Sequence, residues 1–350
     1  MKMNRHVEVH EGAVLKIDEK PVPEIAANEA LVKVSFSGLC GSDVPRIFDN
    51  GAHFYPLTLG HEFSGEVIQV GSDVKKVAVG NKISCAPLVP CMKCADCEDG
   101  NYSLCKHYSF VGSRRQGGNA EYVAVPEVSC FVLPDDVSMQ EGAFFEPVTV
   151  GLHPMVMNGG CEDQNVVVIG AGTIGLLTLQ CAKALGAKSV TVIDIADDKL
   201  ATAKHLGADY IYNSTKEADI EALMENLDIT RNQLIIELAG VPATFKLALK
   251  IAGPRAHIYL VGTIHRDFDI AYKEYEQILR KEATITGSWM NYSKYYPGKE
   301  WELAAQLFGQ GKINTEILLD GIYDAQQYID RIASLPKDPM RGKVMLSWES

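Results

Sequence analysis

Positive charge is in short supply: 33 Lys and Arg face 45 Asp and Glu across 350 residues, a formal net charge of -12. No basic stripe offsets this, so nucleic acid and anionic membrane surfaces are not expected partners. Long apolar runs are missing too. The longest uncharged stretch, Gln164 to Ala182, is broken by Asn165, Thr173, Thr178 and glycines, and reads as buried strand, turn and helix, not as a bilayer span. The N-terminal MKMNRHVEVHEG has neither an apolar signal core nor a small-residue cleavage site, so a cytoplasmic, reducing setting is expected. Low-complexity linkers and internal repeats are also lacking. What remains, 47% hydrophobic and 22% charged residues at this length, fits two packed domains and excludes a disordered or fibrous chain.

Nine cysteines in a reducing compartment argue for metal ligands or core thiols before disulfides. Four of them, Cys91, Cys94, Cys97 and Cys105, fall in PCMKCADCEDGNYSLCKHY with C-x2-C-x2-C-x7-C spacing. This segment is too polar to order itself by core burial. Four thiolates can close a tetrahedral zinc shell, and structural zinc contributes about 10 to 16 kcal/mol in small folded peptides. A bacterial iron–sulfur pattern would have three residues before the last cysteine and a proline after it; here there are seven, and Lys106 follows. A closed shell holds structure and does no chemistry. Cys85, Cys130, Cys161 and Cys181 sit among apolar residues and read as core thiols.

Cys40 differs because it lies on the glycine-flanked turn SGLCGSD, and Gly60-His61-Glu62 follows some twenty residues later. A thiolate and an imidazole from separate loops form part of a catalytic zinc shell, which takes three protein ligands and leaves one position exchangeable. The third ligand could be Glu146, in the apolar run Gly142 to Val148, since a buried carboxylate must be paired, neutralised or metal-bound. Ser138 and Glu141 have capping-box spacing and would open the helix carrying it. Glu62 is the alternative, and the residues leave both open. The other histidines (His6, His10, His53, His107, His153, His205, His257 and His265) have no ligand spacing and read as surface or satisfied core positions.

Asn165 to Ile169 reads as a buried strand running into Gly170-Ala171-Gly172-Thr173-Ile174-Gly175, a G-x-G-x-x-G turn where a helix begins. A second strand, Ser189 to Ile193, ends at Asp194. Glycines let backbone amides approach a pyrophosphate, and an acid at the second strand's end accepts ribose hydroxyls while repelling a 2'-phosphate. NAD is therefore expected over NADP, with Lys199 placed to approach the same ribose. Strands at Tyr210–Tyr212, Leu234–Leu238, His257–Val261 and Thr284–Ser288, with helical segments between the first three, continue the pattern of a doubly wound parallel sheet. Before Met157 the texture is β-rich, and the tail Lys343 to Trp348 is strand-like and is assigned to the same domain. The expected division is residues 1–157 with 293–350, and residues 158–292.

In this order (Cys40, Gly60-His61-Glu62, a four-cysteine lobe, Glu-Pro in a helix, the glycine turn) the chain resembles the zinc-dependent medium-chain alcohol and polyol dehydrogenases over nearly its whole length. The resemblance implies a GroES-like β domain holding a catalytic and a structural zinc, a Rossmann NAD-binding domain, an active site in the cleft between them, and a homodimer or homotetramer. It also implies hydride transfer from a secondary hydroxyl to NAD, with Ser42 on the proton path. SGLCGSDVPRIFDNGAHFYPLTLGHEFSG, GSRRQGG, NQLIIELAGVP and GSWMNYS are most similar to a branch acting on sugar-alcohol phosphates. A phosphate needs a cationic anchor, and Arg46, Arg114 and Arg115 are the candidates. Sorbitol-type relatives tend to carry an arginine in the stretch equivalent to Gly287–Tyr292, where this chain has none. A dehydrogenase of free polyols or of threonine is the alternative, with a non-enzymatic nucleotide-binding protein behind it.

Overall fold

The structure, a computed structural model, describes residues 2–226 and 233–349. It divides into two compact units, Met1–Pro147 with Tyr292–Ser350, and Val148–Asn291. The division falls inside the helix Phe145–Met157, ten residues before the boundary the sequence suggests. The compositional change at Met157 marks the end of that helix, where the parallel sheet's first strand is about to begin.

The second unit is built on six parallel strands in the order Tyr210–Asn213, Ser189–Asp194, Asn165–Ile169, Gln233–Glu237, His257–Leu260 and Thr284–Gly287. Asn165–Ile169 and Gln233–Glu237 are buried at every position, as expected of central strands covered on both faces. Strand order reverses between these two, so the Gly170 turn opens at the topological switch point where such sheets bind ligands. The sequence reading left the last connection without a helix. Tyr272–Arg280 is helical there, but its apolar residues Tyr272, Tyr275 and Leu279 face out, which hides the helix from a search for a buried stripe.

In the first unit, Glu29–Gly38 lies at the centre of a seven-stranded sheet. It pairs antiparallel with Glu62–Val70, Tyr122–Pro126 and the near-terminal strand Lys343–Ser347. The N-terminal hairpin Met3–His10 and Val14–Pro21, unread in the sequence, forms a separate sheet with Leu57–Thr58. Val32, Val34, Phe63, Ile83, Val123 and Val344 are buried between these strands and the helix Ala325–Ser334, which adds Tyr328 and Ile332. Each large apolar side chain removed from water here contributes about 1.5–3 kcal/mol. The Ser138–Glu141 capping box is present, but it opens a separate four-residue helix, Met139–Gly142, and Glu146 stands in the first turn of the next one.

Candidate active site

Cys40 ends the loop after Glu29–Gly38 and caps the short turn Gly41–Asp43. His61 and Glu62 enter at the start of Glu62–Val70 behind Gly60, whose φ of +94° and crowded surroundings require glycine: a Cβ would lie 2.5 Å from Asn119 Oδ1 and 2.6 Å from Ser37 Oγ. The sheet register thus brings ligating atoms of Cys40, His61 and Glu62 within 4.8 Å of one another. Glu146 is buried nearby but outside that set, and its charge bears on both His61 and Lys343.

Two residues that the sequence reading passed over complete the pocket. Asp43, fully buried, faces His61 Nδ1 with Oδ1 at 3.6 Å, an arrangement that orients an imidazole whose other nitrogen ligates a metal. Its signal was its place three residues after Cys40. Lys343 forms a buried ion pair with Glu62 Oε2, while Glu62 Oε1 and His61 Nδ1 lack hydrogen-bond partners among the described residues. No local signal marked Lys343 beyond a cation in an apolar strand.

Burial would push the His61 imidazole down, yet Asp43, Cys40 and Glu146 raise it to about 10. Burial raises the Asp43 carboxyl against the opposing pull of His61 and Arg46. Burial lowers Lys343, and Glu62, Cys40 and Glu146 more than reverse it. The carboxyl groups of Asp43, Glu62 and Glu146 thus gather with the Cys40 thiol around His61 and Lys343, a donor set rich in acidic groups of the kind that takes a divalent cation. A thiol, an imidazole whose Nδ1 faces Asp43, and a carboxylate whose Oε1 is buried without a partner fit zinc.

The second cysteine set is equally compact, with the four Sγ atoms of Cys91, Cys94, Cys97 and Cys105 within 4.8 Å of one another. Met92, at φ 60°, turns the chain between Cys91 and Cys94, and Cys94 caps the helix Ala95–Asp99. The Cys91 amide donates to Cys105 Sγ at 3.3 Å. The Lys93 backbone amide lowers the Cys91 thiol to about 7, while burial pushes Cys97 up to about 12. Four sulfurs at this separation fit a closed zinc shell.

In the second unit, Gly170 has φ +106°, and a Cβ on Gly175 would sit 1.8 Å from the Gly170 carbonyl oxygen, so the turn folds tightly against the helix Thr173–Ala184. Gly172 caps that helix without a side-chain bond, and a Cβ there would meet nothing within 4 Å. That open approach to a helix N-terminus fits a pyrophosphate. Thr173 and Ile174 are half-buried beside it. Asp194 accepts from the Ala171 amide at 2.6 Å and from Ile195 and Ala196 at 2.8 and 2.9 Å, which ties the second strand's acid to the glycine turn. Lys199 lies half-buried on the following helix, Asp197–His205.

The arginines separate. Arg46 Nη1 donates to Ser42 O, Ser42 Oγ and Asp43 Oδ1 at 2.5, 3.1 and 3.3 Å, and so reaches the Cys40 turn. Arg114 lies over the Tyr108 ring. Arg115 instead pairs with Glu29 and the Ala124 carbonyl, so the two neighbours do not act together. Ser42 is exposed at the turn.

Residues 26–135 match the alcohol dehydrogenase GroES-like domain, and residues 173–308 match the zinc-binding dehydrogenase domain. Galactitol 1-phosphate 5-dehydrogenase of Escherichia coli strain K12 is 48% identical over 95% of this chain and 96% of its own. The crystal structure of galactitol-1-phosphate dehydrogenase from Escherichia coli superposes with a TM-score of 0.94 at 47% identity, covering 98% of this chain and 99% of that one. Two further structures, each with a TM-score of 0.89 at 29% identity, cover 99% of this chain and all of their own. They are a zinc-binding dehydrogenase of Sinorhizobium meliloti 1021 bound to NADP and an alcohol dehydrogenase of Escherichia coli CFT073 complexed with NADH. With its GroES-like and Rossmann-type domains, this chain belongs to the zinc-dependent medium-chain dehydrogenases.

Proposed function

We propose that the protein oxidises a secondary hydroxyl of a polyol phosphate, converting galactitol 1-phosphate to tagatose 6-phosphate with NAD as hydride acceptor and two zinc ions per chain. The observation that carries this reading is the convergence of Cys40, His61 and Glu62, completed by the buried Asp43 and Lys343. The substrate is argued from the Escherichia coli relative's name and from Arg46 at the Cys40 turn. NAD is argued from Asp194, whose carboxylate at the second strand's end would repel a 2'-phosphate.

Bound zinc at this set supplies Lewis acidity to a substrate hydroxyl, and bound NAD accepts the hydride. Cys40 and His61 hold the metal, with Glu62 or Glu146 as the carboxylate ligand. Asp43 fixes the His61 ring, and Lys343 holds one oxygen of Glu62. Ser42 Oγ, exposed and already accepting from Arg46, passes the hydroxyl proton toward solvent. The Gly170–Gly175 turn takes the pyrophosphate and Asp194 with Lys199 the adenosine ribose. Cys91, Cys94, Cys97 and Cys105 hold the second zinc. We assign the catalytic domain to residues 1–157 with 293–350 and the dinucleotide domain to 158–292, and we expect a cytoplasmic homodimer or homotetramer.

The test is growth of reduced-nicotinamide absorbance with zinc-replete protein, NAD and galactitol 1-phosphate, run beside galactitol, sorbitol, threonine and NADP. Faster turnover of any unphosphorylated substrate would replace the phosphate reading; faster turnover with NADP would replace the NAD assignment.

A further inference from the structure

His61 meets Asp43 through Nδ1, at 3.6 Å from Oδ1. An imidazole held at one nitrogen can still swing about its Cβ–Cγ bond, a torsion with broad wells. The second restraint is aromatic: the half-buried Phe110 ring meets the His61 ring edge-on, with centroids 5.6 Å apart and planes at 65°. Edge-to-face is a preferred geometry for such rings.

Phe110 is itself fixed from several directions. It pairs with Leu88 in the two-stranded ladder of Leu88–Val89 and Ser109–Phe110. Its carbonyl accepts from the amides of Ser113, Arg114 and Arg115 at 3.3, 2.9 and 3.2 Å. The turn that follows is folded onto the histidine's own backbone: a Cβ on Gly112 would lie 2.7 Å from the Gly60 oxygen and 2.9 Å from the His61 nitrogen. Leu88 is anchored in turn, its amide donating to the Tyr292 hydroxyl at 3.1 Å and its carbonyl accepting from the Tyr296 hydroxyl. The two strands of this ladder bracket Cys91 to Cys105, so the four-cysteine lobe hangs from the hairpin that carries Phe110. The lobe returns to the same anchor, with the Tyr102 ring edge-on to Tyr296 at 5.1 Å.

We propose that Phe110 is a positioning residue for His61, stopping the swing that Asp43 leaves open, and that the base of the four-cysteine lobe sets its place through Leu88 and Tyr296. The proposal rests on the reading of Cys40, His61 and Glu62 as a zinc set. A ligand ring fixed before the metal arrives loses less freedom on binding it, so the contact acts on metal affinity and on the metal's placement, not on substrate binding.

The experiment compares wild type with Phe110→Ala, Phe110→Leu and Tyr296→Phe by three readouts: zinc affinity from chelator competition, cadmium NMR of the cadmium-substituted protein, and kcat and KM for galactitol 1-phosphate. Phe110→Ala should weaken zinc binding at the catalytic set by ~10-fold, the lower end of what losing an orienting partner costs a metal ligand. Its kcat should fall with KM little changed, and its mixed-ligand cadmium resonance should move while the four-sulfur resonance stays. Phe110→Leu, which restores apolar bulk, should recover part of each. Tyr296→Phe should move the mixed-ligand resonance in the same direction by less; no movement there overturns the lobe's part. Unchanged zinc affinity and an unmoved mixed-ligand resonance in folded Phe110→Ala overturn the positioning role, and a raised KM alongside them would make Phe110 a substrate contact instead. Melting temperature reports folding, and if Phe110→Ala does not fold, Phe110→Leu decides. A Cys40→Ser variant that keeps both zincs overturns instead the metal reading on which the proposal rests.

Discussion

Lys343 and Glu62, 281 residues apart in the chain, form a buried ion pair in the space left by Gly38, where a Cβ would meet Glu62 Oε2 at 2.6 Å and Lys343 Cδ at 2.9 Å. Their side chains are only 5% and 1% exposed. Removing one partner of such a pair strands the other, which costs about 3–5 kcal/mol. Lys343→Met should therefore destabilise the metal-stripped protein by about that amount in denaturant titration. Adding zinc should raise the variant's melting temperature more than the wild type's, because a cation beside the metal set has gone. The double variant Lys343→Met with Glu62→Gln should recover part of the metal-free stability; no recovery would show that the lysine acts mainly through packing of its stem.

The second and third glycines of the dinucleotide turn should respond differently to the same methyl group. Gly175→Ala drives a Cβ into the Gly170 carbonyl, a backbone atom, and overpacking of this kind costs about 1–3 kcal/mol. Gly172 has φ -71° and an empty surround, so Gly172→Ala should fold with an unaltered melting temperature. Its methyl would nevertheless stand where a pyrophosphate approaches, and NAD affinity measured by fluorescence titration should fall by ~10-fold or more. Full NAD affinity in Gly172→Ala would move the pyrophosphate elsewhere.

The two metal sets should separate by stability and turnover. Cys94→Ser opens a shell in a polar lobe whose order depends on its metal, so one zinc should be lost and the melting temperature should drop. Cys40→Ser should also lose one zinc and most turnover, while the seven-stranded sheet keeps the melting temperature near wild type. Elemental analysis with calorimetry checks both. Equal thermal losses in the two variants would argue against the division into structural and catalytic metals.

Acid sensitivity should include a contribution from Asp320. Arg331 grips both of its oxygens at 2.8 Å, and the Arg341 amide and Tyr323 hydroxyl add contacts at 3.0 Å. These hold the carboxyl at about 2, Arg331 being the largest cause. The folded value lies below the unfolded one, so the stabilisation is present above about pH 4 and is lost as pH falls toward 2, about 1–2 kcal/mol after allowance for solvent screening. Arg331→Leu should lower stability at pH 7 and flatten its decline between pH 4 and 2 in denaturant titrations. An unchanged slope would assign that acid transition to other carboxylates.

Local chemistry made much of the site readable before folding was considered. The four-cysteine lobe closes within fifteen residues, from Cys91 to Cys105, and the glycine turn lies between a buried strand and its helix, so spacing alone carries both. Cys40 and His61 were readable because turns rich in glycine set them apart from the core thiols. The carboxylate was not. Glu62 and Glu146 both sit in apolar runs, and choosing between them requires the register that sets Gly38 opposite Glu62. Lys343 was invisible for the same reason, because its partner is chosen by strand pairing across the sheet. Arg114 and Arg115 looked equivalent as neighbours, yet the bridge between Val111 and Arg115 sends the second toward Glu29.

The strand bearing Lys343 also sets an order of assembly. Val148–Asn291 is an unbroken segment that can fold as soon as it leaves the ribosome, whereas the unit around it is split, and its central strand waits for Lys343–Ser347 to supply a neighbour. During synthesis the thiol, imidazole and carboxylate of the metal set are therefore made early and lack the Lys343 countercharge until the chain has grown 281 residues beyond Glu62. A nascent chain that stops short of Lys343 would leave Glu62 without its ion-pair partner, which makes that strand the step that turns a loose chelator into a finished metal set.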